Sequence, residues 1–207
     1  MQSNHIDGRN LRSQETRKKI LEAAEDVFLV NGFKKTTIKM INEKANTAHG
    51  TAYAHFKDGK DQIFTYIFKE ILKNFYEVAE ITYAPQSVEE AYEIIKGQIC
   101  DLLALAEKHR EILKVCSEAI GVSPYVRQEW NLFIRQLTNR AKKDIQYAQS
   151  KGIAKMIEGE IVANIILFIS EKYLWQIVLA ETEYSIKEIS ETITKVYMFG
   201  LYNKPLN

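Results

Sequence analysis

Apolar residues recur at steps of three and four between residues 60 and 78, and this spacing is the strongest constraint on the fold. A strand would require alternation at every second residue, whereas these steps place the apolar side chains on one face of a helix. The residues of that face are Ile63, Phe64, Ile67, Phe68, Ile71, Leu72, Phe75 and Val78. The sequence therefore predicts a long amphipathic helix that packs against a core.

The same helical period continues along the chain and is interrupted at turn residues. The 207 residues include only 9 Gly and 3 Pro, which disfavours many short strands joined by tight turns. We predict a first helix capped by Ser13 and ended at Asn31-Gly32. The predicted helices run at roughly 12–31, 36–45, 49–56, 60 to just before Pro85, 87–107, 109–120, 124–150, 158–181 and 185–202. The fold class is therefore all-α, with about nine helices.

Charge and cysteine content exclude some classes of function. The net charge of +1 gives no reason by itself to expect a nucleic-acid partner, although residues 1–64 are weakly basic. Cys100 and Cys116 have no Cys or His at metal-ligand spacing, so we expect core thiols, with redox sensing as the alternative. No catalytic triad pattern, phosphate-binding glycine loop or metal-ligand cluster is present, so no cofactor, no metal and no enzymatic activity are expected.

Two apolar features bear on the location of the protein. Residues 1–19 contain no apolar run that could form the core of a signal peptide, so a cytoplasmic protein is expected. Residues 161–180 are dense in Ile, Val, Leu, Phe and Trp, but Glu171 and Lys172 lie in the middle of that stretch. Because charges at the centre of a bilayer are costly, we expect a buried helix here and no membrane partner.

Residues 36–56, TTIKMINEKANTAHGTAYAHF, have the pattern of helix, tight turn and helix. Thr36 or Thr37 can cap the first of these helices. Asn46 is suited to end it, because Asn tolerates the left-handed conformation that follows many helices. The pattern predicts a helix-turn-helix, an element that DNA-binding proteins place in the major groove.

Residues 16–64 resemble the TetR family of bacterial one-component regulators in residue type, order and spacing. The matching elements are Gly32-Phe33 at the end of the first helix, Thr36-Thr37 at the start of the second, Gly50-Thr51-Ala52-Tyr53-Ala54-His55-Phe56 as the third helix, and Lys60 at the start of the fourth. Three departures concern how the third helix is aimed: Asn46 replaces Gly, Ala52 replaces a larger apolar residue, and Gly59 lengthens the turn before Lys60.

The resemblance implies two domains with different functions. Residues 1–64 would form a three-helix DNA-binding head, and residues 65–207 a helical domain for ligand binding and dimerisation. The protein would be a homodimer that represses transcription from a palindromic operator in double-stranded DNA until a small-molecule effector releases it. The alternative is a helix-turn-helix dimer that a protein partner controls, or that no ligand controls.

The resemblance also implies which side chains meet DNA. The third helix would enter the major groove, where Gly50 lets the backbone approach closely. Thr51, Tyr53 and His55 are suited to phosphate oxygens or base edges, and Lys60 would face a phosphate. Thr47 and His49 are expected to read bases, with support from Lys39 and from the Thr37 hydroxyl. Tyr53 could instead pack in the core, and Lys39 could be an ordinary surface charge.

Aromatic residues in the second part of the chain suggest an apolar effector pocket. The candidates are Tyr92, Trp130, Phe133, Tyr147, Phe168 and Trp175, with Gln98 and Asn164 as polar anchors. Each aromatic residue could equally fill an ordinary core, because buried aromatic side chains usually pack against protein.

Two C-terminal helices carry the pattern of a dimer interface. The first presents Ile161, Ile165 and Phe168, and the second presents apolar residues at steps of three, four and three, namely Ile186, Ile189, Ile193 and Val196. The alternative is that both helices pack inside one monomeric core, because this spacing does not distinguish an internal partner from a second subunit.

Overall fold

The computed structural model describes residues 8–199, and within that range the protein is all-helical, which confirms the expected fold class. The helices are α1 (Gly8–Lys35), α2 (Ile38–Lys44), α3 (Thr51–His55), α4 (Gly59–Ala79), α5 (Val88–Lys108), α6 (Arg110–Val122), α7 (Pro124–Ser150), α8 (Gly159–Leu179) and α9 (Ile186–Phe199). The predicted end of the last helix at residue 202 lies outside the described residues.

Helix ends follow local sequence signals in most places. Thr37 and Ser87 are the N-caps of α2 and α5. The side-chain oxygen of each accepts a hydrogen bond from the backbone N–H three residues later. The prediction for the start of α1 was wrong, because the helix begins at Gly8 rather than at Ser13. Gly32 interrupts α1 near its end with φ of 72°, as expected for a glycine that ends a helix.

The chain divides into two compact units. The first unit comprises Met1–Glu70 and Lys114–Glu129, and in its described part α1, α2 and α3 pack together. The centre of its core is an aromatic cluster of Phe28, Phe33 and Phe64, with ring centroids 4.9 to 5.7 Å apart. These rings pack in the same unit as the fully buried Ile20 and Ile41, and burial of such apolar side chains stabilises it.

The second unit comprises Ile71–Leu113 and Trp130–Asn207. In it, α5 packs against both α8 and α9. Helices α4, α6 and α7 each contribute residues to both units. The sequence predicts that residues 1–64 bind DNA and that residues 65–207 bind the ligand. This functional division stays a prediction.

Helix α8 is the one helix among residues 8–199 whose length and composition would suffice to cross a membrane. Only 28% of its most apolar stretch is buried within the chain. Apolar helices that pack in cores or between subunits have the same composition, so this property alone is weak evidence for a membrane span. It does show that the chain leaves much of the apolar surface of α8 uncovered.

Candidate functional site

The α2 helix presents two of the predicted DNA contacts to solvent. Thr37 precedes the helix, is exposed, and accepts a hydrogen bond from the Met40 N–H at 3.3 Å through its side-chain oxygen. Lys39 lies in the first turn of α2 with its ammonium 3.8 Å from the Glu43 carboxylate. Such an exposed pair contributes little to stability, so Lys39 is free to exchange Glu43 for another anion.

The turn after α2 is held by a side chain that sequence reasoning overlooked. Asn42 is only 3% exposed, and its side-chain oxygen accepts hydrogen bonds from the Thr47 hydroxyl at 3.0 Å and from the Ala52 N–H at 3.1 Å. Asn46 adopts φ of 51°, which confirms the expectation of a left-handed residue. In the sequence, the sign of this role was that Asn42 is a polar residue on the apolar face of α2, next to Ile41.

Asn42 contacts Thr47 and Ala52, two residues for which the sequence predicts a different environment. Thr47, expected to read bases, is half-buried and directs its hydroxyl into the turn. Ala52, expected to leave α3 poorly anchored, is fully buried and is held through its backbone N–H instead of a larger side chain. Helix α3 is therefore attached to α2 by a side chain-to-backbone hydrogen bond, which is directional where apolar packing is not.

Helix α3 places several predicted contacts at the surface. Gly50 precedes it with φ of 91°, and a Cβ there would meet no atom within 4 Å, so the left-handed backbone is what requires glycine. His49 is exposed, and Thr51 is half-buried. Tyr53 is 55% exposed, so a purely internal role for its ring is wrong.

The end of α3 is anchored by a cation from α1. Arg17 donates to the His55 carbonyl at 3.2 Å, and its guanidinium lies 4.4 and 4.3 Å from the ring centroids of Phe56 and Tyr66. A guanidinium stacked on two rings while it caps a helix end contributes both packing and charge. The side chain of His55 is half-buried at this position.

Lys60, expected to face a phosphate, makes a different set of contacts. Its ammonium donates to the carbonyl oxygens of Phe33, Lys34 and Thr36 at 2.8, 3.1 and 3.0 Å and lies 4.7 Å from the centre of the Phe33 ring. These three acceptors match the three protons of an ammonium group. In this structure, Lys60 connects the start of α4 by hydrogen bonds to the segment that leads from α1 to α2.

A cavity of about 120 Å³ lies within the second unit. Its walls are mostly apolar and include Phe75, Ile99, Leu103, Phe133, Ile166 and Leu174. Of the six aromatic candidates from the sequence, only Phe133 is among the lining residues. The proposed polar anchor Gln98 also lines the cavity.

The other five aromatic candidates lie elsewhere in the second unit. Trp130 packs against Trp175, with 4.9 Å between the ring centroids, and Tyr147 packs against Tyr83 at 6.0 Å. Tyr92 stacks on Phe199 at 6.0 Å. Phe168 is 72% exposed. Asn164 is also exposed and donates to a carbonyl of its own helix.

Several polar side chains are among the residues that line the cavity. Arg140 lies 3.3 Å from the Asp144 carboxylate and donates to the Ile81 carbonyl at 3.0 Å. Burial raises the pKa of Asp144 to about 6, although Arg140 opposes that shift. Burial also raises the pKa of Tyr83 to about 12. Glu171, another lining residue, accepts a hydrogen bond from the Trp130 indole at 2.7 Å.

Neither cysteine takes part in a recognisable site. Cys116 is fully buried, and burial raises the pKa of its thiol well above the ordinary value, which suppresses thiolate chemistry. Cys100 is half-buried and free. Between residues 8 and 199, no three His, Cys, Asp or Glu side chains come close enough to hold a metal ion.

The predicted interface residues of α8 and α9 fall into two groups. Ile161, Ile165 and Phe168 are 60%, 55% and 72% exposed, and Val196 is 45% exposed. Ile186 is half-buried. By contrast, Ile189 and Ile193 are 3% and 5% exposed, because they pack inside their own chain. Those two side chains are therefore not accessible to a second subunit.

Residues 20–67 match the sequence model of the family described as bacterial regulatory proteins, tetR family. The uncharacterised HTH-type transcriptional regulator YhgD of Bacillus subtilis is 27% identical over 156 residues, which cover 75% of this chain and 80% of that protein. The fatty acid metabolism regulator protein of the same organism is 24% identical over 195 residues, covering 89% of this chain and 95% of the relative.

A solved structure of similar fold is the transcriptional regulator FadR from B. subtilis in complex with stearoyl-CoA. It has a TM-score of 0.66 and 18% identity, and the match covers 89% of this chain and 99% of that one. At this identity the likeness shows the fold alone. The matched family and the two relatives are transcriptional regulators, not enzymes. The helix-turn-helix of α2 and α3 lies inside the matched range, so this region of the chain belongs to the TetR family of bacterial regulatory proteins.

Proposed function

We propose that the protein is a cytoplasmic, homodimeric repressor that binds a palindromic operator and is released from it by a small, largely apolar effector. The observation that carries the DNA-binding part is the surface around α2 and α3, where Thr37, Lys39, His49 and Tyr53 are exposed and the Asn42–Ala52 hydrogen bond joins the two helices. In a dimer, two such surfaces would enter successive major grooves roughly 34–36 Å apart.

The proposed contacts follow from how far each polar group is exposed and from which groups it already binds. His49 is assigned to base edges, because it is exposed just before α3 and its imidazole has both a donor and an acceptor. Thr51, Tyr53 and His55 are assigned to phosphates or base edges, and Thr37 and Lys39 to phosphates. Thr47 and Lys60 are left out, since their polar atoms are engaged within the first unit.

The proposed effector site is the cavity of the second unit. Its apolar walls favour a ligand with an extended apolar part, and the Arg140–Asp144 pair offers hydrogen bonds to a polar group. A fatty acyl chain is the first candidate, because one relative is a fatty acid metabolism regulator and a structure of similar fold contains stearoyl-CoA.

The proposed dimer interface is the exposed part of α8 and α9. Ile161, Ile165 and Phe168 recur on α8 at steps of four and three, which places them on one face of the helix. Exposed apolar side chains clustered in this way are typical of protein–protein interfaces. Val196 on α9 and the half-buried Ile186 complete the proposed set.

A footprint on the DNA that flanks the protein's own coding region tests the DNA-binding part. We expect protection of a palindromic site, with log affinity falling steeply as log salt concentration rises. Loss of protection on adding stearoyl-CoA or an aromatic apolar compound would support effector release. Protection that no apolar ligand disturbs would favour the alternative dimer, and absence of any protected site would contradict the proposal.

A cavity-filling variant separates effector binding from general effects. Ala141→Leu adds volume at the cavity wall, so we expect weaker ligand-induced thermal stabilisation and unchanged operator affinity. Ala104→Leu is the matched control, because Ala104 is exposed on α5. Equal ligand responses in the two variants would contradict the cavity as the effector site.

A further inference from the structure

The segment 32–36, which links α1 to α2, is held from one side by a carboxylate of α6. Glu118 accepts hydrogen bonds from the Phe33 N–H at 2.7 Å and from the Lys34 N–H at 3.3 Å, one to each carboxylate oxygen. Hydrogen bonds from backbone N–H groups to an ionised carboxylate are stronger than those between neutral groups. All three residues belong to the first unit.

Gly32 makes this approach of Glu118 possible. A Cβ at position 32 would lie 2.7 Å from a carboxylate oxygen of Glu118, closer than a Cβ ordinarily approaches another heavy atom, and φ of 72° at Gly32 independently favours glycine. The Gly32-Phe33 pair therefore provides both the bend in α1 and the room for a carboxylate.

The other side of the same segment is held by Lys60. Its ammonium donates hydrogen bonds to the carbonyl oxygens of Phe33, Lys34 and Thr36. Glu118 accepts hydrogen bonds from the N–H groups of Phe33 and Lys34. The backbone of the link thus has an anion at its donors and a cation at its acceptors. The link ends at Thr37, the N-cap of α2, so holding it determines where the helix-turn-helix begins.

We propose that Glu118 is a positioning residue for operator recognition, although it contacts no DNA itself. By fixing residues 33 and 34 it orients α2 and, through Asn42, the recognition helix α3. The proposal rests on the DNA-binding function proposed above. Positioning and simple electrostatics predict opposite changes in operator affinity when Glu118 is replaced. A carboxylate on a DNA-binding unit repels phosphates, so loss of its charge alone would strengthen binding, whereas loss of a positioning contact weakens it.

The test compares Glu118→Gln and Glu118→Ala with the wild type in operator binding at several salt concentrations. Gln keeps the shape and one acceptor oxygen, so we expect operator affinity to fall about threefold, whereas Ala removes both acceptors and should lower it about tenfold. The matched control is Glu25→Gln, because Glu25 is exposed on α1 and its side chain has no hydrogen bond or ion pair within residues 8–199. That control should bind as tightly as the wild type or more tightly.

Three further readouts separate positioning from loss of fold. Affinity for non-specific DNA should change less than twofold, the salt slope should stay the same, and stearoyl-CoA binding should be unaffected. The Gln variant, which preserves side-chain volume, serves if the Ala variant is unstable by circular dichroism. Operator affinity in both Glu118 variants equal to or above that of the wild type would overturn this inference alone, whereas a wild type without operator binding would overturn it together with the proposed function.

Discussion

The side-chain oxygen of Asn42 lies 3.1 Å from the backbone nitrogen of Ala52, so one residue of α2 supplies a hydrogen-bond acceptor to the start of α3. The N-terminal N–H groups of a helix have no partner within the helix, and a buried one must be satisfied from outside. Here the partner comes from the neighbouring helix. The angle between α2 and α3 therefore depends on a single polar contact as well as on apolar packing.

Asn42→Ala should destabilise the first unit and weaken operator binding. The substitution leaves the buried Ala52 N–H without its acceptor and leaves the Thr47 hydroxyl only the Asn42 carbonyl oxygen, 3.4 Å away. We expect a loss of about 1–2 kcal/mol of unfolding free energy. Urea unfolding measures this loss, with Asn139→Ala on the exposed surface of α7 as the control. Stability within error of the control would show that the contact is dispensable.

His49→Ala and Lys39→Ala should weaken DNA binding in different ways. A base-reading side chain carries sequence preference, so loss of His49 should reduce the discrimination between operator and mutated sites by about 1–3 kcal/mol. A phosphate contact carries none, so loss of Lys39 should weaken binding to all sequences alike and reduce the salt slope by about one. Competition gel shifts at four salt concentrations distinguish them, and an unchanged sequence preference in His49→Ala contradicts the base-reading assignment.

Lys60→Met should lower stability without changing the salt dependence of DNA binding. Three carbonyl oxygens lose a charged donor, for which we expect about 1–2 kcal/mol of unfolding free energy. Lys57→Met is the control, because Lys57 is exposed two residues before α4. A salt slope reduced by about one in Lys60→Met would instead indicate a direct phosphate contact.

Phe168→Asp should shift the protein from dimer to monomer. The side chain is 72% exposed in the single chain, so a charge there costs little in the monomer, whereas burial of that charge in an apolar interface is costly. We expect the dimer dissociation constant from sedimentation equilibrium to rise at least tenfold. Met156→Asp, at a residue 83% exposed outside α8 and α9, should leave it unchanged. Equal dissociation constants in the two variants would place the interface elsewhere.

Asp144 should make the protein less stable as the pH rises through about 6. Burial raises its pKa from the ordinary 3.8 to about 6, so the folded state binds its proton more tightly than the unfolded state. Any stability from that proton is fully present below about pH 4 and is lost as the carboxyl group ionises between pH 4 and 6. Thermal unfolding at pH 4.5 and 7.5 should show a smaller decrease in Asp144→Asn than in the wild type. An equal decrease in both would contradict the raised pKa.

Most of the secondary structure and the class of the protein were predictable from sequence, because both depend on local order along the chain. Steps of three and four identified the helices, Thr37 and Ser87 marked two helix starts, and Asn46 marked the left-handed residue of the turn. Local signals fail where a helix simply continues, which is why α1 begins at Gly8 and not at Ser13.

Tertiary structure decided which of the predicted site residues are free to act. Thr47 and Lys60 have the right chemistry for DNA contacts, but their polar atoms meet Asn42 and the link between α1 and α2. Ile189 and Ile193 have the spacing of an interface, but they face their own core. Spacing defines the face of a helix relative to its own axis, whereas what that face meets depends on contacts between residues far apart in sequence, such as Glu118 and Phe33.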